Sequence, residues 1–427
     1  MRIQNPYENI GSMLRRRAIS HEHTYFDSGD YGETLFQRCL NRGIDIFCGI
    51  SYSPAIPQYP VNGWSREYED WEFEFDEGGN LVYELDEHGD KKYKVVGGVS
   101  YPIPSLHKVI RTNEGAHHDF VMDNGEMSDI ENMVQIPNSE IAFFTYPNGN
   151  IKPAVHVNFL GSVWGDAVNA TLPNLDKYNT ENNLSLSYGV FRTIFPLNTL
   201  SQVIDGVSGN LVFGSKVFGT INHPGYSNMK DSDVDILMAA APNMFKAMEV
   251  YNHTDYNNMA AYDIAFYDRT LLRGIKLWCV SVNDWGADRR GPYYETMPSR
   301  GCNLLYLPAS YESLSKSQKA EAALDAYIAG SFSAVGFGSV DIDAVAVNDN
   351  VVEITFNGIM DSIIVDIDGK RSTYYNTSRI FANLKQTNTF VRFEAYKGND
   401  FLFTQPFYVL DKTEGVSLIK KAAVLFD

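Results

Sequence analysis

The chain has 427 residues, of which 44% are hydrophobic and 21% charged, and its formal net charge is −18. That acidity argues against a nucleic-acid backbone or an anionic membrane surface as the main partner, because both need a basic face. It leaves a small anionic substrate open, since bound cations invert the sign of a local field.

An aromatic content of 13% is too high for general disorder. A chain of this length reads as two or three domains with a sizeable core. No apolar run reaches the ~18–20 residues of a membrane span. The start, MRIQNPYENIGSMLRRRAIS, lacks the apolar centre of a signal peptide. Cys39, Cys48, Cys279 and Cys302 form no CxxC pair and fit a reducing compartment. The expectation is a protein of the cytoplasm, or one released by lysis, with no membrane partner.

Residues 31–42 have helical apolar spacing (Leu35, Phe36, Cys39, Leu40) and stop at Gly43. Residues 44–50 (IDIFCGI) read as a buried parallel strand, as do 155–160, 218–221, 247–251 and 277–282. Helical patterns lie between several of them, at 197–204 for example, and another follows at 314–328. Such alternation over the first three quarters of the chain predicts an α/β fold, either a β/α barrel or a doubly wound sheet. Residues 64–96 interrupt it with alternating aromatic and acidic residues split by Gly-rich turns, which predicts an antiparallel hairpin or meander. Residues 171–188 are Asn-rich and read as loop. Beyond Gly336 and Gly338, short strands at 351–356, 362–367, 390–396 and 401–409 predict a small β-sandwich. Its turns fall at Asn357-Gly358, Asp368-Gly369 and Lys397-Gly398, and residues 417–426 read as a terminal helix or strand.

The histidines carry the chemistry. His21 and His23 lie in HEHT, and residues two apart in an extended chain point the same way, so both imidazoles can reach one ion. Glu140 closes PNSE, His156 opens HVNFLG, His223 lies in INHPG, and Asp284 follows the strand-like KLWCVSV. Most of these stand at or near a predicted strand end, where barrels place their catalytic groups.

These segments, in this order, resemble the polymerase and histidinol phosphatase (PHP) superfamily of metal-dependent phosphoesterases. HEHT is similar to its HxHT motif, GTINHPG to its "inHP" motif, AMEVYN to its "iEvyN" strand, and CVSVNDWG to its "DDxH" motif. VRFEAYKGNDFLFTQPFYV resembles the β-sandwich appended to some members. The resemblance implies a distorted (β/α)7-like barrel at 1–338 with a β-rich insertion at about 58–134, then an Ig-like β-sandwich at 339–427. It implies two divalent ions, Mn, Zn or Fe. His21, His23, Glu140 and Asp284 would hold one, and Glu140, His156 and His223 the other, with Glu140 shared. It implies hydrolysis of a small phosphomonoester or phosphodiester by metal-activated water. Glu249 would orient its neighbours or assist catalysis, and Arg289 and Arg290 would grip the outer phosphate oxygens. Tyr52, Ser53 and Gly286 stand where three-metal members carry ligands of a third ion, so that site departs from the pattern. Asp27 or Asp30 could reach that vacant corner, and His117 and His118 could supply a replacement from the insertion, the alternative for them being a loop or structural role. The alternative is a catalytically degenerate PHP-like binding or structural module, for example in a surface or viral assembly. A third possibility, a glycan-binding protein, rests only on the aromatic hairpin.

Overall fold

The computed structural model describes residues 1–22, 43–48, 66–113, 134–151, 155–165, 168–253, 260–284, 301–336 and 338–410. The expected elements at 31–42 and 417–426 lie outside them, as do His23, Asp27, Asp30, Tyr52, Ser53, His117, His118, Gly286, Arg289 and Arg290.

The strands in chain order are β1 (Leu14–Ile19), β2 (Ile44–Phe47), β3 (Arg66–Phe73), β4 (Tyr93–Val96), β5 (Val99–Pro102), β6 (Leu106–Asn113) and β7 (Val134–Gln135). Next come β8 (Glu140–Ile141), β9 (Val157–Leu160), β10 (Phe218–Ile221), β11 (Phe245–Asn252), β12 (Trp278–Val282), β13 (Cys302–Leu307) and β14 (Phe332–Val335). The last are β15 (Ile342–Asn348), β16 (Val351–Ile367), β17 (Lys370–Asn383), β18 (Phe390–Lys397), β19 (Asp400–Phe403) and β20 (Phe407–Tyr408). The α-helices described are α1 (Val168–Glu181), α2 (Tyr188–Ile194), α3 (Leu200–Gly209), α4 (Asp231–Ala240), α5 (Ala260–Leu272) and α6 (Lys316–Ala329).

The expected α/β fold, a distorted (β/α)7-like barrel, does not form. Among the described residues strand outweighs helix, 41% to 22%, and the strands make large mixed sheets. An 11-stranded sheet runs β15-β16-β18-β19-β14-β13-β1-β2-β7, with β17 on β16 and β20 on β18. A 5-stranded sheet runs β12-β11-β10-β9-β8. Among the described strands, the parallel pairs are β1 with β2, β2 with β7, β10 with β11 and β11 with β12. A β/α barrel needs every neighbour parallel. Here β9 runs antiparallel to both β8 and β10, and β13 antiparallel to both β1 and β14. Apolar runs reveal strands without revealing the direction of their neighbours. Across residue 338 the large sheet continues, because β14 pairs with β19.

Two further local readings change. Residues 168–181 form α1 where loop was expected, because Leu175 and Tyr178 bury against Phe73, Tyr83 and Phe191. Tertiary burial thus overrides the weak helix propensity of asparagine. Asn357-Gly358 is no hairpin turn. It sits in the middle of β16, where the register with β17 shifts between Thr355 and Met360. Asp368-Gly369 does make the β16–β17 turn, with φ of 52° and 76°, the positive pair that a type I′ turn requires.

One large core lies between the two sheets and helices α3 to α6, with Phe159, Phe218, Met248, Val280 and Leu305 at full burial. A second joins Tyr7 and Ile10 to the C-terminal strands. The antiparallel pairs β3–β6 and β4–β5 belong to the segment that docks on α1 and α2. Among the described residues, no helix is long and apolar enough to cross a membrane.

Candidate metal centre

The sheets deliver the candidate ligands to one place. β10, β11 and β12 are parallel, so the residues that follow β10 and β12 emerge at a common edge: His223 after one, Asp284 after the other. β9 is antiparallel to β10, with Val157 opposite Ile221. His156, just before β9, therefore lies at that same edge, and its carbonyl accepts the Asn222 N–H at 3.1 Å. β8 is antiparallel to β9 and sets Glu140 opposite Asn158. His21 follows β1 in the other sheet, and its carbonyl accepts the Asp284 N–H at 2.9 Å.

Glu140, His156 and His223 form one group of convergent donors, and His21, Glu140 and Asp284 form another. In each group the donor atoms lie within 4.8 Å of one another. His21 Nε2 lies 3.0 Å from Asp284 Oδ1 and 3.5 Å from Glu140 Oε2. His223 Nε2 lies 3.3 Å from Glu140 Oε1 and 3.9 Å from Asp284 Oδ2. His156 Nδ1 lies 2.7 Å from Glu140 Oε1. Bonds of ~2.0–2.2 Å to a common ion put neighbouring donors ~3–3.5 Å apart, and mixed imidazole and carboxylate sets suit Zn, Mn or Fe. The donor chemistry and spacing therefore fit divalent cations, with Glu140 common to both groups.

Glu249 lies beneath the donors and is fully buried in the middle of β11. Its Oε1 accepts from His21 Nδ1 at 2.6 Å. Its Oε2 accepts the backbone N–H of His223 at 2.8 Å and Nδ2 of Asn252 at 3.0 Å. A metal-binding histidine characteristically gives its second ring N–H to such a carboxylate. Glu249 thereby aims His21 Nε2 at Glu140 and Asp284. Asn252 also donates to Asp284 Oδ2 at 2.8 Å, and Asn222 donates to Glu140 Oε1 at 3.2 Å. Asn283 donates to Glu22 Oε2 at 2.7 Å, with both side chains buried. These asparagines and Glu22 were not singled out in the sequence. The signal available was adjacency: Asn222 precedes His223, Asn252 closes MEVYN, and Glu22 divides HEH.

The charges are tightly coupled. Burial alone would lower the His21 pKa, but the carboxylates of Asp284, Glu249 and Glu140 hold it well above its ordinary value. Burial likewise opposes protonation of His223, yet the Glu140 hydrogen bond and the nearby Asp284 and Glu249 raise its pKa to about 9. Burial would raise the Glu140 pKa, and His156 with His21 keeps it well below the usual carboxylate range. His223 and Asp284 adopt positive φ, 24° and 48°, and such backbone strain concentrates at functional sites.

No family model matches the chain, and neither does any curated protein. Among solved structures, the chain is similar to a Bifidobacterium adolescentis protein provisionally described as a metal-dependent phosphoesterase. The two share 11% identity at a TM-score of 0.31, over 63% of this chain and 87% of the other. A likeness at that level defines neither fold nor function.

Proposed function

We propose that the protein hydrolyses a small phosphomonoester or phosphodiester at a two-metal centre. The reading rests on one observation: His21, Glu140, His156, His223 and Asp284, from five separate segments, converge with Glu140 common to both groups. His21, Glu140 and Asp284, together with His23 by motif, would hold one ion, and Glu140, His156 and His223 the other. Bound divalent ions supply Lewis-acid stabilisation to phosphoryl oxygens and acidify water. The chain's own residues do the rest. Glu249 keeps a proton on His21 Nδ1, so that Nε2 presents a lone pair to the centre. Asn222 and Asn252 fix the rotamers of Glu140 and Asp284, holding the geometry before substrate arrives. Arg289 and Arg290 remain candidates for the outer phosphate oxygens, on sequence grounds alone.

The test measures metal content and hydrolysis of 4-nitrophenyl phosphate and bis(4-nitrophenyl) phosphate after loading with Mn or Zn. His223→Ala is expected to lower metal occupancy and activity together. Metal binding without turnover of either ester would instead identify a metal-binding module. Undiminished activity in His223→Ala would remove His223 from the centre.

A further inference from the structure

Next to the candidate centre stands an aromatic ring that the ligand set does not use. Tyr226 packs edge-to-face against His223, with ring centroids 5.2 Å apart and planes at 87°. It is nonetheless 52% exposed. The other exposed Tyr and Phe side chains among the described residues are Phe75 and Tyr93 in the inserted segment and Tyr374, Tyr375 and Phe381 on β17. Tyr226 thus joins a wet ring surface to an imidazole whose Nε2 faces Glu140 and Asp284.

The ring is carried on a closely bonded turn. Ser227 N–H donates to His223 O at 3.1 Å, Asn228 N–H to Gly225 O at 3.0 Å, and Met229 N–H to Pro224 O at 3.0 Å. Gly225 N–H donates to Asp263 Oδ1 of α5 at 2.6 Å. Ser227 Oγ lies 3.2 Å from His223 Nδ1, so one turn holds both rings. A ligand stacking on Tyr226 would meet a backbone already ordered, which lowers the entropic cost of binding. Phe143 stands beside a second imidazole, 6.3 Å from His156, and its φ of 57° marks a backbone held against its preference.

We infer that Tyr226 is a specificity residue that recognises an aromatic group attached close to the substrate's phosphorus. The inference rests on the phosphoesterase reading and narrows it: the centre prefers aryl-type phosphoesters to small alkyl ones. A phosphoryl group on the open side of ions held by these donors, next to the His223 ring on which Tyr226 packs, would carry its substituent toward the Tyr226 ring. Offset or edge-to-face contact there favours the aromatic ligand by about threefold to tenfold.

The test uses the full chain loaded with Mn and two ligands that contain no ester, phenylphosphonate and methylphosphonate, titrated by calorimetry. Wild type is expected to bind phenylphosphonate about threefold to tenfold more tightly. Tyr226→Phe keeps that ratio. Tyr226→Ala, compared at matched metal loading so that any change in His223 packing cancels from the ratio, brings it to about one. No preference in wild type, an unchanged ratio in Tyr226→Ala, or binding of neither ligand overturns the inference. A preserved preference without hydrolysis of any aryl phosphate would sink the hydrolase reading and leave the aromatic subsite standing.

Discussion

Replacing Glu249 with glutamine keeps the volume of a fully buried side chain and exchanges one acceptor oxygen for a donor. Three donors now converge on the carboxylate: His21 Nδ1 on Oε1, then His223 N–H and Asn252 Nδ2 on Oε2. A glutamine can place its oxygen toward the latter two. Its amide N–H then meets His21 Nδ1, which must accept, and the imidazole proton moves to Nε2. That is the nitrogen aimed at Asp284 and Glu140. The opposite amide orientation sets donor against donor in a buried site, at a cost of about 1–3 kcal/mol. The first orientation takes the prepared Nε2 lone pair from the candidate centre, and the second disturbs the backbone of His223 and the side chain of Asn252. Removing such an outer partner typically weakens metal binding about 10–100-fold, or about 1.4–2.7 kcal/mol. The assay is Zn or Mn titration against a competing chelator, with far-UV circular dichroism and thermal melting to verify the fold. A dissociation constant within about threefold of wild type would refute the tautomer-setting role of Glu249, since the expected loss starts at about tenfold.

Metal affinity is expected to climb with pH. The His223 pKa is raised to about 9, so a proton must leave before the imidazole ligates, and affinity gains up to about tenfold per pH unit until that pKa is passed. The sign for stability is the reverse: without metal, the contribution of protonated His223 is full below its ordinary value and fades as pH rises through about 9. Chelator competition and melting curves from neutral pH to pH ~10 check both trends, and a flat affinity profile would contradict the first. Arg392→Met should destabilise the fold by about 3 kcal/mol, the low end for breaking a buried ion pair. It removes the 2.7 and 2.8 Å bonds to Asp268 and leaves that carboxylate a longer 3.7 Å contact with Arg371, which also reaches Glu394 at 2.6 Å. Urea denaturation measures it, and a loss under about 1 kcal/mol, the range of exposed pairs, would show that Arg371 takes over.

What could be read from the chain was local. The runs 218–221 and 277–282 are mainly apolar and free of charge, and they supply β10 and β12, in which every residue is buried. Pairing direction is not local, and the barrel expectation failed on it. Strand β9 carries the same kind of sequence as β10 and runs the opposite way. The candidate ligands stood out because histidine and carboxylate recur at strand ends. The antiparallel β9 still brings His156 to the right edge, because the residue before an antiparallel strand neighbours the residue after its partner. The supporting asparagines were not legible. Asn222 and Asn252 gain their importance only from the carboxylates that folding places beside them.

The C-terminal strands are tied to the candidate centre through two elements that carry candidate ligands. Helix α5 uses Asp263 to hold the turn behind His223, and five residues on its Asp268 grips Arg392 of β18. Strand β12, which leads to Asp284, is an edge of the 5-stranded sheet. An edge strand leaves backbone groups without a ladder partner, and buried ones need a substitute. Gln405 supplies it: its Oε1 accepts Cys279 N–H at 2.7 Å and its Nε2 donates to Cys279 O at 2.8 Å. Tyr408 adds a bond from its hydroxyl to Leu277 O at 2.7 Å, and Asn303 accepts Ser281 N–H at 3.1 Å. Gln405, Tyr408 and Asn303 thus complete the open edge of β12 among the described residues. His223 and Asp284 each hold a positive φ, and strained positions persist only where their surroundings over-determine them. On that physical ground the C-terminal strands support the two elements that carry the candidate ligands His223 and Asp284, through α5 and β12.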